Sequence, residues 1–211
     1  MIILLLSILN LVSSLQISNF KDLCIVGANG GLGRELVYQS LQKDKSVFGL
    51  TSKPSIMYEP YRGDDFFEET NCFTEVKNNN LTLINYWEKL DIDYNHLILC
   101  TGSQPFQEDY SDKLTTKILE NLSDKCKTIS LVSAYGVNQK LNYNNIGVKF
   151  LQNYFLKDTY RAKIEQEKLI YECKNIKQYI YRPKALSYKI SFFFDTLTRQ
   201  ELASDILNQI I

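Results

Sequence analysis

The sequence lacks a surplus of charge of either sign. It contains 24 Lys and Arg against 24 Asp and Glu, so its formal net charge at pH 7 is zero. Binding to nucleic acid or to an anionic membrane surface requires Lys and Arg clustered on one face. No such cluster is present in the chain, so the sequence predicts neither kind of partner.

The chain is also poor in residues that break structure and in residues that bind metals. Its 211 residues include only 4 Pro, 9 Gly and one His, while 45% of the residues are hydrophobic. This composition excludes a disordered or linker-rich chain and fits one folded domain. No grouping of His, Cys, Asp and Glu has the spacing of metal ligands, so we expect no metal site.

The first residues form the one long apolar run. Residues 1–12 read MIILLLSILNLV, interrupted by Ser7 and Asn10. A membrane-spanning helix needs about 20 apolar residues, so the run predicts no stable membrane span. Its length fits the apolar part of a cleaved targeting segment ending at Ser14. An extra buried strand, a lipid-associated helix or a misassigned start are the alternatives.

The cysteines bear on where the protein would be sent. There are five of them, an odd number, and no two form a CxxC pair. This pattern does not indicate a framework of disulfide bonds. A targeting segment followed by a domain with reduced thiols suggests a complex, algal-type plastid as the destination. Secretion, the endomembrane system and the cytoplasm remain alternatives.

From residue 20 onward, short apolar runs alternate with longer segments of helical periodicity. This pattern is typical of βαβ units and predicts an α/β fold, a single doubly wound Rossmann domain over residues 20–211. Helices flank its mostly parallel sheet. We expect strands at residues 23–26, 46–50, 81–84, 96–100, 128–132 and 178–181, and helices at 32–42, 112–123, 149–171 (with a break near Asp158) and 198–211.

A run of glycines follows the first predicted strand and opens the first helix. It reads Gly27-Ala28-Asn29-Gly30-Gly31-Leu32-Gly33. The first glycine permits a tight turn, the second allows backbone to approach a pyrophosphate, and the third lets the helix pack near the strand. Backbone N–H groups and the helix dipole favour the anion. The run therefore predicts a dinucleotide-binding turn, and a plain turn is the alternative.

The spacing GxxGxxG, with one additional glycine, resembles the short-chain dehydrogenase/reductase superfamily. More narrowly, the chain is similar to the atypical branch that includes NmrA-like and biliverdin reductase B-like proteins. Further segments carry the resemblance over nearly the whole chain after the leader: residues 131–137 (LVSAYGV), 160–163 (YRAK) with Glu167, 181–183 (YRP) and 198–203 (TRQELA). The resemblance implies a nicotinamide dinucleotide as the cofactor.

The end of the second predicted strand bears on which dinucleotide is bound. An acidic residue there would bind the ribose 2′-hydroxyl and repel a 2′-phosphate. The sequence has Ser52 and Lys53 and no acid. We therefore expect NADP(H) rather than NAD(H), although Lys53 can also be an ordinary solvated lysine. The end of the fourth strand, with Thr101, Gly102 and Ser103, is expected to line the same cofactor cleft.

In active members of the superfamily, a Tyr with a Lys four positions later protonates the substrate carbonyl, and a Ser orients it. Here Thr159 lies four positions before Lys163, and Tyr160 only three before it. An i,i+3 pair can still converge on a helix face, so the resemblance makes Tyr160, Lys163 and Ser133 the candidate catalytic residues. The displaced pair leaves two readings open: an NADPH-dependent reductase of a small carbonyl, enone or flavin-like acceptor, or a redox sensor or assembly factor that binds NADP(H) without turnover.

Overall fold

The structure is a computed structural model of the chain, and it describes residues 20–60, 74–86, 88, 92–102, 109–137, 156–183, 186–187 and 197–211. The targeting segment expected at residues 1–14 lies outside the described residues. That segment and the plastid destination therefore stay predictions.

Six parallel strands form the central sheet. Along the sheet their order is β3-β2-β1-β4-β5-β6. The strands are β1 (Phe20–Val26), β2 (Val47–Thr51), β3 (Leu81–Asn85), β4 (Asp93–Leu99), β5 (Thr128–Val132) and β6 (Lys177–Tyr181). Every neighbouring pair is parallel. This is the strand order of a doubly wound Rossmann domain, as the alternation of apolar runs and helical segments predicts.

Four helices among the described residues cover the two faces of the sheet. They are α1 (Gly31–Gln42), α2 (Ser111–Glu120), α3 (Lys157–Glu172) and α4 (Arg199–Ile210). One apolar cluster joins Leu36 of α1 and Ile206 of α4 to Ile25 of β1. A second cluster joins Ile118 of α2 and Ile170 of α3 to the other face. Strands covered on both faces need apolar residues at every position, which explains the continuous runs in the sequence.

Helix α3 and a second, short pair of strands complete the described elements. Helix α3 begins at Lys157, next to the expected break at Asp158, and the earlier part of the predicted helix lies outside the described residues. A second, two-stranded parallel pair, β7 (Leu186–Ser187) with β8 (Leu197–Thr198), leads into α4. Such two-residue strands are too short to leave a periodic pattern. None of the described helices combines the length and the apolar character needed to cross a bilayer.

Candidate dinucleotide-binding site

The glycine turn lies between β1 and α1, and its glycines are required by close backbone contacts. Gly27 has φ +87°, and a Cβ on Gly33 would lie 2.1 Å from the Gly27 carbonyl oxygen. The Gly30 N–H donates to the same oxygen at 2.9 Å. A side chain at residue 33 would separate α1 from the turn. The third glycine therefore has the packing role predicted for it.

The amino end of α1 is suited to an anion. Gly30 is its N-cap residue, no side chain caps the helix, and its first turn has no acidic residue. The first backbone N–H groups of a helix lack intrahelical acceptors and carry partial positive charge. The side chain of Leu32 packs in the core, so this residue offers a ligand its backbone.

Gly31 is explained by an arginine from the far end of the chain. A Cβ at residue 31 would lie 2.8 Å from Nε of Arg199, the first residue of α4. A Thr198–Glu201 capping box fixes the start of α4, because the Thr198 hydroxyl accepts the Glu201 N–H at 3.1 Å. The additional glycine in the motif thus makes room for the Arg199 side chain.

A cavity of about 450 Å³ opens beside the glycine turn. Its walls come from the carboxyl ends of β1, β2, β3 and β4 and from the start of α2. They include Gly27, Asn29, Gly30, Thr51, Ser52, Tyr86, Cys100, Thr101, Gly102, Asp109, Ser111 and Leu114. Strand β2 lies on one side of β1, and β4 lies on the other, so the strand order reverses at β1. The cavity therefore lies at the topological switch point, where ligands bind in such sheets.

Asn29 connects the glycine turn to the loop after β2. Its side-chain Nδ2 donates to the carbonyl oxygens of Lys53, at 3.0 Å, and Ile56, at 3.3 Å. Its Oδ1 is buried and has no hydrogen-bond partner in the described structure. Ser52 lies at the cavity wall, and Lys53 is exposed beside it. Asn29 therefore holds the predicted ribose-binding loop against the predicted phosphate-binding turn.

Lys163 lies beneath the carboxyl ends of β4 and β5. Its ammonium Nζ donates to the carbonyl oxygens of Thr101 and Val132, the latter at 3.0 Å. The side chain is only 5% exposed, and this burial lowers the pKa of Lys163 to about 8. Nearby Asp109 and Cys100 oppose that shift. The lysine thus joins two strand ends at the cofactor edge of the sheet.

Tyr160 and Ser133 lie near the end of β5. The Tyr160 hydroxyl donates to the Tyr135 carbonyl oxygen at 2.6 Å, while the Ser133 N–H donates to the Tyr181 carbonyl at 2.8 Å. The Ser133 hydroxyl is buried without a hydrogen-bond partner. The three candidate catalytic residues are therefore at one edge of the sheet, but the hydrogen bonds of Tyr160 and Lys163 go to backbone carbonyls.

Cys100 is a cavity residue that the sequence marks only as part of a strand. Its thiol donates to the Val26 carbonyl oxygen at 3.0 Å. Burial raises the pKa of Cys100 to about 12, so the group is a neutral thiol at physiological pH. It acts as a wall residue rather than as a nucleophile.

A buried polar network behind the cavity was not foreseen. Gln166 of α3 is fully buried, and its Nε2 donates to the Thr115 hydroxyl at 2.7 Å and to the Ser111 carbonyl at 3.2 Å. One residue later, Glu167 forms a bidentate pair with Arg182, with both distances 2.8 Å. The YRAK segment of the sequence indicates where α3 lies. A Gln or a Glu in the sequence, however, does not indicate which residues its side chain will contact.

Two of the three site residues expected at the end of β4 line the cavity. These are Thr101 and Gly102, whereas Ser103 lies outside the described residues. Within the described part of the chain, no three His, Cys, Asp or Glu residues come together as a metal site. The single histidine, His96, pairs through Nδ1 with the Thr128 hydroxyl at 2.8 Å inside the sheet.

No protein-family model matches the chain, and no curated protein matches it either. Solved structures do. WbmH of Bordetella bronchiseptica, in complex with NAD+, aligns over 90% of this chain and 72% of its own with a TM-score of 0.59 and 13% identity. The anaerobillin reductase ChuY of Escherichia coli O157:H7 aligns over 89% of both chains with a TM-score of 0.54 and 14% identity.

A Streptococcus pneumoniae protein described as an NADH-flavin reductase also aligns, over 90% of this chain and 92% of its own, with a TM-score of 0.54 and 10% identity. Likeness at these identities concerns the fold. The chain has the doubly wound Rossmann fold of these structures, and this confirms the fold that the resemblance noted in the sequence implies.

Proposed function

We propose that the protein binds NADP(H) across the carboxyl ends of its strands and reduces a small carbonyl, enone or flavin-like acceptor. The observation that carries this proposal is the glycine turn: Gly33 leaves no room for a Cβ, and the uncapped amino end of α1 faces an open cavity. A backbone cradle of this kind fits a pyrophosphate without any charged side chain. A volume of about 450 Å³ lies within the range of ligand-binding cavities.

NADP(H) rather than NAD(H) is supported by the surroundings of the ribose-binding loop. No acid follows β2, where Thr51 is succeeded by Ser52 and Lys53. Arg34, on the first turn of α1, has its guanidinium carbon 5.9 Å from the centre of the Tyr58 ring, and its Nε is buried without a hydrogen-bond partner. Asn29 brings the loop after β2 to this turn. The loop after β2 thus offers a 2′-phosphate the Ser52 hydroxyl at the cavity wall and the exposed Lys53 beside it.

When bound, the reduced nicotinamide supplies a hydride to an electrophilic carbon or nitrogen of the acceptor, which also takes up a proton and is reduced by two electrons. The residues of the chain then orient the partners and exclude water. The Tyr160 hydroxyl can provide that proton if it leaves the Tyr135 carbonyl; otherwise solvent provides it. Lys163 fixes the ends of β4 and β5, between which the nicotinamide half is expected to lie.

The second candidate function is binding of NADP(H) without turnover, as a redox sensor or assembly factor. It is favoured by the hydrogen bonds of the two displaced residues: the Tyr160 hydroxyl and Lys163 Nζ both donate to backbone carbonyls. Neither is poised toward the other as an acid and its activating cation. A protein that binds the cofactor without catalysis would need both residues only for such structural hydrogen bonds.

Steady-state consumption of NADPH with a panel of a flavin, a quinone and an aldehyde tests the proposal. A reductase oxidises NADPH with at least one of these acceptors, and Tyr160→Phe lowers kcat if that tyrosine is the acid. Tyr179→Phe is the matched control, because the half-buried Tyr179 on β6 does not line the cavity and its hydroxyl donates to the Gln209 carbonyl oxygen at 3.4 Å. Binding of NADPH without consumption supports the sensor. Absence of binding contradicts both functions.

A further inference from the structure

The start of α2 places a carboxylate and a hydroxyl on the wall of the cavity. Asp109 and Ser111 both line the cavity and are only 3% and 5% exposed. Among the described residues of this lining, Asp109 is the only Asp, Glu, Lys, Arg or His. The Ser111 hydroxyl is buried and has no hydrogen-bond partner in the described structure. The wall therefore offers a ligand a negative charge beside an unsatisfied hydroxyl.

Gln166 fixes this wall next to the end of β4. Its Nε2 donates to the Ser111 carbonyl oxygen at 3.2 Å and to the Thr101 hydroxyl at 3.4 Å. Thr101 also lines the cavity, and its carbonyl oxygen accepts a hydrogen bond from Lys163 Nζ. Burial lowers the pKa of Lys163, and the charge of Asp109 opposes this shift. The wall therefore lies beside Lys163, at the half of the cavity where the nicotinamide and its acceptor are expected.

The chemistry of the acceptor decides whether the protein must supply an acid. A carbonyl that receives a hydride becomes an alkoxide, which takes up a proton from a positioned donor. The expected donor, Tyr160, instead donates to the Tyr135 carbonyl oxygen at 2.6 Å. A protonated imine already carries its proton on nitrogen. Such an acceptor can be reduced without an acid on the protein.

Resting on the proposed function for its cofactor, we propose that the protein reduces a protonated imine whose N–H group lies between Asp109 and Ser111. The positive charge matches the carboxylate, and the N–H can donate to both oxygens. A carboxylate has about four lone-pair sites, so Asp109 can accept from the ligand while its Oδ1 accepts the Ser111 N–H at 2.8 Å. A neutral aldehyde or ketone has neither the charge nor the N–H group, so this wall does not favour it.

The reaction balances without a further reactant. A C–H bond forms between the hydride and the imine carbon, and the electron pair of the C=N π bond moves to nitrogen. The iminium ion becomes a neutral amine, which is reduced by two electrons, and the nicotinamide is oxidised by two electrons. Solvent then protonates the released amine.

Initial rates of NADPH oxidation with methylpyrroline, a cyclic imine, and with cyclopentanone, a neutral ketone of the same ring size, test this proposal at mildly acidic pH, where the imine is protonated. The wild-type kcat/KM should be at least about 10-fold higher for the imine, since a charge-assisted hydrogen bond separates the two acceptors. Asp109→Asn keeps an acceptor for the Ser111 N–H but removes the charge, so the preference for the imine should fall about 10-fold.

Asp112→Asn is the matched control. Asp112 lies in the first turn of the same helix, its Oδ2 is 3.7 Å from Arg161 Nη1, and it is not among the described residues that line the cavity. This variant should keep the wild-type preference. Ser111→Ala should lower kcat/KM for the imine about 3- to 10-fold, while its free energy of unfolding stays unchanged or rises, because the lost hydroxyl has no partner.

Titration calorimetry with NADPH separates the acceptor from the cofactor. The affinity of Asp109→Asn for NADPH should stay within about 2-fold of the wild type, and a 10-fold loss would show that the wall binds the cofactor, which overturns the proposal. Reduction of the ketone or of a flavin without reduction of the imine overturns it as well, and so does an imine preference unchanged in Asp109→Asn. These outcomes leave the proposed function standing. Failure of the wild type to bind NADPH overturns both.

Discussion

Replacing Gly33 by alanine tests the contact that defines the turn. The added Cβ would lie 2.1 Å from the Gly27 carbonyl oxygen and 2.8 Å from the Ala28 Cα, far inside the 3.4 Å at which ordinary contacts begin. Both neighbours are backbone atoms, so the strain cannot be relieved by a change of rotamer. The whole of α1 would have to move away from β1 by more than an ångström.

Forced overpacking of this kind costs typically 1 to 3 kcal/mol and occasionally more, and we expect a loss of about 3 kcal/mol for Gly33→Ala. Gly102→Ala is the matched control, because it lies in the same cavity, has no positive φ and would place its Cβ with nothing within 4 Å. Its free energy of unfolding should stay within about 0.5 kcal/mol of the wild type.

Urea denaturation followed by circular dichroism measures both changes, and NADPH titration of the folded variants measures the effect on the cradle. Gly33→Ala should bind NADPH more weakly than the wild type does, since α1 carries the N–H groups that face the anion. If Gly33→Ala and Gly102→Ala prove equally stable, the close approach of α1 to the turn is refuted.

The remaining predictions concern buried charges. Because Lys163 has a pKa of about 8 when folded and an ordinary value of 10.5 when unfolded, the unfolded chain binds more protons between these values. Its contribution should therefore raise the free energy of unfolding by about 2 kcal/mol from pH 8 to pH 10. Urea denaturation at both pH values should show this rise in the wild type but not in Lys163→Met; an identical rise in both contradicts it. Glu167→Ala leaves Arg182 without its bidentate partner and should cost about 3 kcal/mol, whereas Glu165→Ala, which breaks only an exposed pair with Lys168, should cost less than about 1 kcal/mol. Equal losses would refute the buried pair.

Much of the fold can be predicted from the sequence because a parallel sheet covered on both faces needs continuous apolar runs. Strands β1, β4 and β5 each contain such a run, and the expected strands overlap the observed ones, although β1 and β4 begin three residues before the expected starts, in stretches that include polar residues. Even β3, in the part of the chain with the weakest pattern, was expected at residues 81–84 and is observed at Leu81–Asn85. The glycine turn can also be predicted, because the close contacts that require its glycines involve only one strand and the helix that follows it.

The contacts that complete the site could not be predicted, because the residues that form them are distant in sequence. Asn29 reaches Ile56, and Arg199 lies against Gly31 across the whole domain. Ser111 becomes a cavity residue only because α2 packs beside the end of β4. A serine or an arginine in the sequence carries no sign of such a contact, whereas a glycine that must be close to backbone often does.

The proposed preference for NADP(H) depends on the absence of an acidic residue after β2. The structure adds Arg34 to that reasoning, because its guanidinium reaches the Tyr58 ring in the loop after β2. The proposed dinucleotide binding itself depends on the backbone of the turn. The choice of dinucleotide and the existence of the site are thus separate questions.

Fluorescence titration of the purified protein with NADPH and NADH tests the central claim most directly. We expect saturable binding of NADPH, with one nucleotide per chain and a weaker affinity in Gly33→Ala. We also expect weaker binding of NADH. No binding of either nucleotide at millimolar concentration would contradict the assignment of the glycine turn as a pyrophosphate cradle.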